Sequence, residues 1–161
     1  MLEADGVKID QENAFFSATG SLNVERIQPT STLLSDGTVL VGGGTTSSGD
    51  MEIYDPATGT FATTVSRPAN FSYQTMTLLN NGKVLVAGGY DSCLHGCATP
   101  YLNSAELFDP VSRVFSPTGS MSVVRAFATA VLLNDGSVLV VGCVYKLTKR
   151  TLKLSGMGAI Q

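Results

Sequence analysis

The side chains best equipped for chemistry crowd into one stretch, Tyr90-Asp91-Ser92-Cys93-Leu94-His95-Gly96-Cys97-Ala98-Thr99-Pro100-Tyr101-Leu102-Asn103. It holds the only histidine and two of the three cysteines. Asp91, Cys93, His95 and Cys97 are four potential metal ligands. A tetrahedral zinc site draws its ligands from separate elements at wider spacing, and alternating ligands in one short loop are hard to close around an ion. No metal and no cofactor are therefore expected. Cys93 and Cys97, with Gly96 between them to allow a sharp bend, can close a small disulfide ring in an oxidising compartment, provided the strict geometry is met. The other reading is a plain surface loop that pins itself.

The remaining candidates read as structure. Gly42-Gly43-Gly44-Thr45-Thr46-Ser47-Ser48-Gly49 lacks the following helix and lysine of a phosphate cradle, and a strand follows it instead. Glu52 and Glu106 recur at matched places, as do Asp55 and Asp109. Paired carboxylates can do acid–base work, but recurrence in every unit points to capping or to ties between units. Arg26 and Arg125 invite the same reading. Ser-His-Asp catalysis would have to use His95, which nothing in the sequence orients. The chain is read as no enzyme.

The elements that would position these residues are written in a repeat. Leu33-Leu34-Ser35-Asp36-Gly37-Thr38-Val39-Leu40-Val41-Gly42-Gly43-Gly44 returns as Leu78-Leu79-Asn80-Asn81-Gly82-Lys83-Val84-Leu85-Val86-Ala87-Gly88-Gly89. It returns again as Leu132-Leu133-Asn134-Asp135-Gly136-Ser137-Val138-Leu139-Val140-Val141-Gly142-Cys143. Self-similarity at a period of tens of residues marks a stacked-unit architecture. Asp36-Gly37, Asn81-Gly82 and Asp135-Gly136 each join two apolar runs, and such pairs favour tight hairpins because both turn positions take positive φ cheaply. The predicted hairpins are Thr30–Leu34 with Thr38–Gly42, Thr75–Leu79 with Lys83–Ala87, and Thr129–Leu133 with Ser137–Val141. A second hairpin follows, because Glu52-Ile53-Tyr54-Asp55-Pro56 matches Glu106-Leu107-Phe108-Asp109-Pro110 and proline ends the strand. One unit thus holds four short antiparallel strands. Phe16 to Phe61 spans 45 residues and Phe61 to Phe115 spans 54. The nine extra residues fall after Gly89, in the chemistry-bearing loop.

These residues resemble kelch repeats of the bacterial type, like those of the propeller domain of galactose-oxidase-like proteins. The resemblance rests on Gly119-Ser120-Met121, Arg125, Thr77-Leu78-Leu79, Val84-Leu85-Val86-Ala87-Gly88-Gly89 and Ser104-Ala105-Glu106-Leu107-Phe108-Asp109-Pro110, and spans roughly residues 7 to 143. Departures are Phe16, Phe61 and Phe115 for the usual tryptophan, Phe71 for the arginine, and Pro29, Gln74 and Ala128 for the histidine before the first strand. The resemblance implies an all-β fold, a partial β-propeller with about two complete four-stranded blades and two half blades. The boundaries read as half blade 1–29, blade 30–74, blade 75–128, half blade 129–143 and a non-matching basic tail, 144–161. Val7-Lys8-Ile9-Asp10 takes the place of Glu52 to Asp55, so the first half blade supplies third and fourth strands. Closed rings take four to eight blades, and the chain is read as a fragment of a larger propeller. Copper radical oxidases that carry this propeller need several histidines and a tyrosine crosslinked to a cysteine, a set that His95 alone cannot supply.

Charge and composition narrow the partners. Apolar residues make up 43% of the chain and charged residues 14%. All 13 acidic residues lie at or before Asp135, and four of the ten basic ones, Lys146, Lys149, Arg150 and Lys153, lie in the tail. The body to residue 143 is therefore acidic, which speaks against a nucleic-acid surface, and the tail is expected to be solvated. No segment reaches the roughly 20 apolar residues of a membrane span. Met1 to Val7 shows no signal peptide, although the cysteine pair suits a secreted or cell-surface parent.

The resulting expectation is a non-catalytic recognition or scaffold module with a protein or glycan partner. The family implies that loops joining second to third strands share a face with the blade-to-blade connections. That groups Tyr90–Asn103 with Thr45–Asp50, Val65–Tyr73 and Ser120–Phe127. Tyr90, Tyr101 and Phe71 are the predicted aromatic anchors, with Asp91 and His95 beside them. Two alternatives remain open: a piece of a secreted oxidoreductase or hydrolase with its catalytic residues elsewhere, and a structural unit that self-associates through open blade edges.

Overall fold

The three Asp-Gly and Asn-Gly steps reverse the chain as expected, but by a different turn. Leu34 N donates to Thr38 O (2.8 Å) and Gly37 N to Leu34 O (3.1 Å); the same two bonds recur at Leu79–Lys83 and Leu133–Ser137. Gly37, Gly82 and Gly136 have φ of +86°, +79° and +85°, whereas Asp36, Asn81 and Asp135 are not among the positive-φ residues. This is the three-residue loop that pairs a type I turn with a glycine bulge, and it corrects the expectation of two positive-φ positions. The residue before each glycine has another task. Asp36 Oδ1 accepts from Thr38 N (3.0 Å) and Oγ1 (2.7 Å), Asn81 Oδ1 from Lys83 N (3.1 Å), and Asp135 Oδ1 from Ser137 N (2.9 Å) and Oγ (2.6 Å). These bonds stabilise the charged form and hold the Asp36 and Asp135 carboxyls below their ordinary pKa.

The computed structural model describes residues 5–9, 16–44, 50–64, 71–91, 100–142 and 158–160. Among them there is no helix. The strands are β1 (Asp5–Ile9), β2 (Phe16–Ser21), β3 (Thr30–Leu33), β4 (Val39–Gly42), β5 (Glu52–Asp55), β6 (Thr60–Thr63), β7 (Phe71–Ser72), β8 (Thr75–Leu78), β9 (Val84–Ala87), β10 (Tyr90–Asp91), β11 (Ala105–Asp109), β12 (Val114–Pro117), β13 (Ala128–Leu132), β14 (Val138–Gly142) and β15 (Gly158–Ile160). They form two four-stranded antiparallel sheets, β3-β4-β5-β6 and β8-β9-β11-β12. A hairpin, β1-β2, lies before them and a three-stranded sheet, β13-β14-β15, after them. The first strands β3, β8 and β13 lie side by side, so the sheets turn about a common inner edge, as an open β-propeller does.

Register carries the repeat from sequence into space. Tyr54 pairs with Phe61, Phe108 with Phe115 and Ile9 with Phe16. The hairpin β1-β2 therefore has the pairing of third and fourth strands, as the alignment of Val7–Asp10 with Glu52–Asp55 predicts. Of the tail, residues 158–160 are described, and they form a strand where a solvated end was expected. Its strand β15 sets Ile160 against Val138, the register in which Tyr54 faces Val39 and Phe108 faces Val84. A short apolar segment thus fills the third place on β14, because an unpaired strand edge offers amide and carbonyl groups that need partners.

Two cores lie between sheets, not within one. Alternation along a strand sends every second side chain to each face. Leu34, Leu40 and Met51 of the first blade meet Met76, Val84, Val86 and Phe108 of the second. Leu85, Ala87 and Ala105 of the second meet Val138 and Val140 of the third sheet. Leu40, Val84 and Phe108 have no exposed surface, and each such side chain contributes about 1.5–3 kcal/mol.

Candidate functional site

The connections that lead into each blade are fixed before any loop is reached. Arg26 and Glu52 form a fully buried ion pair (3.0 Å). Arg26 Nη1 donates to Gly43 O (3.1 Å), and Arg125 Nη1 repeats the contact at the matched Gly142 O (3.1 Å). Asn23 N and Nδ2 donate to Glu52 Oε2 (2.7 and 2.9 Å). The recurring arginines and Glu52 thus bind the connection to the blade it enters, which is a structural task. Asp55 and Asp109 cap the next turn, accepting from Ala57 N (2.8 Å) and Val111 N (2.9 Å). Each blade's second glycine then reaches the following connection: Gly44 N donates to Phe71 O (3.0 Å) and Gly89 N to Arg125 O (2.7 Å).

This lacing brings the described ends of the predicted loops together. Strand β7, at the end of the connection 65–73, pairs with β10, at the start of the long loop: Ser72 faces Tyr90 and Phe71 faces Asp91. Tyr90 and Tyr101 bridge the base of that loop, their rings 5.5 Å apart and edge to face. Asp91 N donates to Pro100 O (2.7 Å). Tyr90, Asp91, Tyr101 and Phe71 are therefore brought together, all half-buried. His95, Cys93 and Cys97 lie outside the described residues. Among the described residues no three His, Cys, Asp or Glu side chains gather.

The structure adds residues that the sequence reading did not single out. Gln28, Tyr73 and Phe127 stand at the same repeat position, one residue before Pro29, Gln74 and Ala128. All three are left-handed, with φ of +57°, +59° and +56°. Non-glycine residues seldom hold this conformation, and it costs bulky ones about 1–2 kcal/mol. Strain repeated at three matched places, in glutamine, tyrosine and phenylalanine, marks a feature of the architecture that aims side chains. The target is a groove of about 470 Å³ across the first strands β8 and β13 and the entry to β3, lined by Gln28, Thr30, Tyr73, Gln74, Phe127 and Thr129 among others, with no charged side chain. Tyr73 and Phe127 stack with centroids 3.8 Å apart, and Tyr73 meets Tyr90 edge to face at 6.5 Å. An aromatic row thus runs Phe127, Tyr73, Tyr90, Tyr101. Phe127 is 54% exposed.

Gln74 supplies polarity under the row. It is 4% exposed, and its side-chain amide nitrogen and oxygen have no hydrogen-bond partner. A buried amide left so costs about 1–3 kcal/mol until a ligand or water satisfies it. Gln74 stands where the repeats that this sequence resembles often carry histidine, a signal that was in the sequence. The left-handed backbone of its neighbour was not.

No curated protein matches the chain. The model of the Kelch motif matches residues 78–122, from the end of β8 through β9, β11 and β12 into the following connection. The chain carries a Kelch motif in its middle blade, within an all-β, open propeller of four-stranded antiparallel sheets.

Proposed function

We propose that the chain is a non-catalytic recognition module whose aromatic row and uncharged groove take up a segment of a protein partner. A Kelch motif points to a β-propeller interaction module. The observation that carries the reading is the trio Gln28, Tyr73 and Phe127, held left-handed around one groove beside the unsatisfied Gln74 amide. Exposed aromatics give large contact area at low entropic cost, and such anchors dominate binding energy. An uncharged groove selects an uncharged segment. The test is selection of peptides from a displayed library against the wild type, followed by titration with Tyr73→Ala, Phe127→Ala and Gln74→Ala. Selected peptides should lose about 30-fold or more in affinity, as hot-spot truncations do. Peptides indifferent to all three variants, or a glycan array that binds where peptides do not, would overturn the protein reading.

A second reading, self-association, is favoured by the apolar residues left open at the two ends of the stack: Leu33 (62% exposed) at one, Val131 (51%) and Val141 (49%) at the other.

A further inference from the structure

The two ends of the stack carry opposite halves of an interface that the interior makes twice. Inside, a row including Leu34 and Leu40 packs on Met76, Leu78, Val84 and Val86 of the next sheet. The matched row, Leu79 and Leu85, packs on Ala128, Ala130, Leu132, Val138 and Val140. At the far end the first row recurs as Leu133 and Leu139, joined by Val131 and Val141, and no further sheet covers it among the described residues. Leu133 there is 37% exposed, whereas its repeat partner Leu34 is 3% exposed. At the near end the receiving row, Leu78, Val84 and Val86 inside, recurs as Leu33, Val39 and Val41. Among the described residues, the hairpin β1-β2 meets the outer part of the first blade, through Thr19 Oγ1 to Tyr54 Oη (2.7 Å) and Gly20 N to Gly59 O (2.9 Å).

The strand places are complementary as well. Strands β13 and β14 are first and second strands, with β15 of the tail in third place. Strands β1 and β2 have the pairing of third and fourth strands, and β1 pairs with β2 alone among the described residues. Each end offers what the other lacks.

We propose that these ends dock head to tail between two copies of the chain. The β1-β2 hairpin of one copy replaces β15 beside β14 of the other, and Leu33, Val39 and Val41 of its first blade cover Val131, Leu133 and Leu139. The register is fixed by the repeat: Ile9 takes the place of Ile160 opposite Val138, and Lys8 the place of Ala159 opposite Leu139. A second copy is the partner that fits, because both rows and both strand places come from this chain and match its own interior interfaces position for position. The contact is heterologous, and such contacts close into rings when the rotation allows. β15, held over three residue pairs, acts as a placeholder that guards the edge until the second copy arrives.

The inference rests on the self-association reading, and the experiment separates the two. Full-length chains with Cys93, Cys97 and Cys143 changed to serine carry either Lys8→Cys or Leu139→Cys and are mixed under mild oxidation. A cross-linked dimer should form from the mixture and from neither variant alone. Sedimentation equilibrium of the wild type at micromolar concentration should show a dimer, weakened at least tenfold by Val41→Asp. Ile160→Pro, which unseats β15 by removing the ladder amide opposite Val138, should tighten it. A dimer without the mixed cross-link overturns this docking and leaves self-association standing. A monomer in both the wild type and Ile160→Pro overturns both.

Discussion

Glu52 has no exposed surface, yet five donors converge on it: Arg26 Nε (3.2 Å) and Nη2 (3.0 Å), Asn23 N and Nδ2, and Val24 N (3.3 Å). Glu52→Ala leaves the Arg26 guanidinium buried and unpaired. Breaking such a pair costs about 3–5 kcal/mol, so a thermal melt followed by circular dichroism should fall by roughly 6–20 °C. Two glycines separate backbone strain from crowding. At Gly37 (φ +86°) an added Cβ meets nothing within 4 Å, so Gly37→Ala should cost only about 1 kcal/mol of conformational strain. At Gly44 (φ +70°) it would lie 2.2 Å from Ile27 O, so Gly44→Ala should cost clearly more in the same urea titration. The turn carboxylates set an acid limit. Hydrogen bonds from Thr38 lower the Asp36 pKa, those from Ser137 lower that of Asp135, and those from Ser112 and Val111 lower that of Asp109, from the ordinary 3.8. A lowered folded pKa contributes stability that is whole above the ordinary value and lost as pH falls through the lowered one. The double variant Asp36→Asn with Asp135→Asn keeps an acceptor, as Asn81 shows, but does not titrate. Its urea midpoint should drop less than the wild type's between about pH 5 and pH 2.

At the scale of elements, the same repeat position has different worth in different blades. Leu40 and Leu139 match in sequence, but Leu40 is sealed between two blades and Leu139 sits on the open face of the last sheet. Leu40→Ala should cost about 2–5 kcal/mol, the range for a sealed core position. Leu139→Ala should cost clearly less in dilute solution, because a half-buried side chain gives up less apolar contact. The comparison is made by chemical denaturation of both variants at one low concentration. Equal losses would mean that the last sheet is covered even in the monomer.

For the whole molecule, a stack in which each unit touches only its neighbours opens from its ends. The central sheet is covered on both faces, while β1-β2 has two strands and a single flank. Amide hydrogen exchange should therefore be slowest in β8, β9 and β11 and fastest in β1 and β2. Uniform protection along the chain would show that the array behaves as one cooperative unit.

The sequence by itself determined the hairpins, their four-strand grouping and their register, because apolar alternation, turn glycines and Asp-Pro stops are local and act within a few residues. It also marked Tyr90 and Tyr101 at the base of one loop, since an insertion shows by counting. Only the tertiary structure decided the turn type, where the aspartate side chain competes with the backbone for the same amide. It alone showed Gln28, Tyr73 and Phe127 in left-handed conformation around one groove, and a tail strand in a blade's third place. Those depend on how blades meet. A repeat written along the chain tells what each unit is, and the packing between units settles which of its copies are covered, strained or left open.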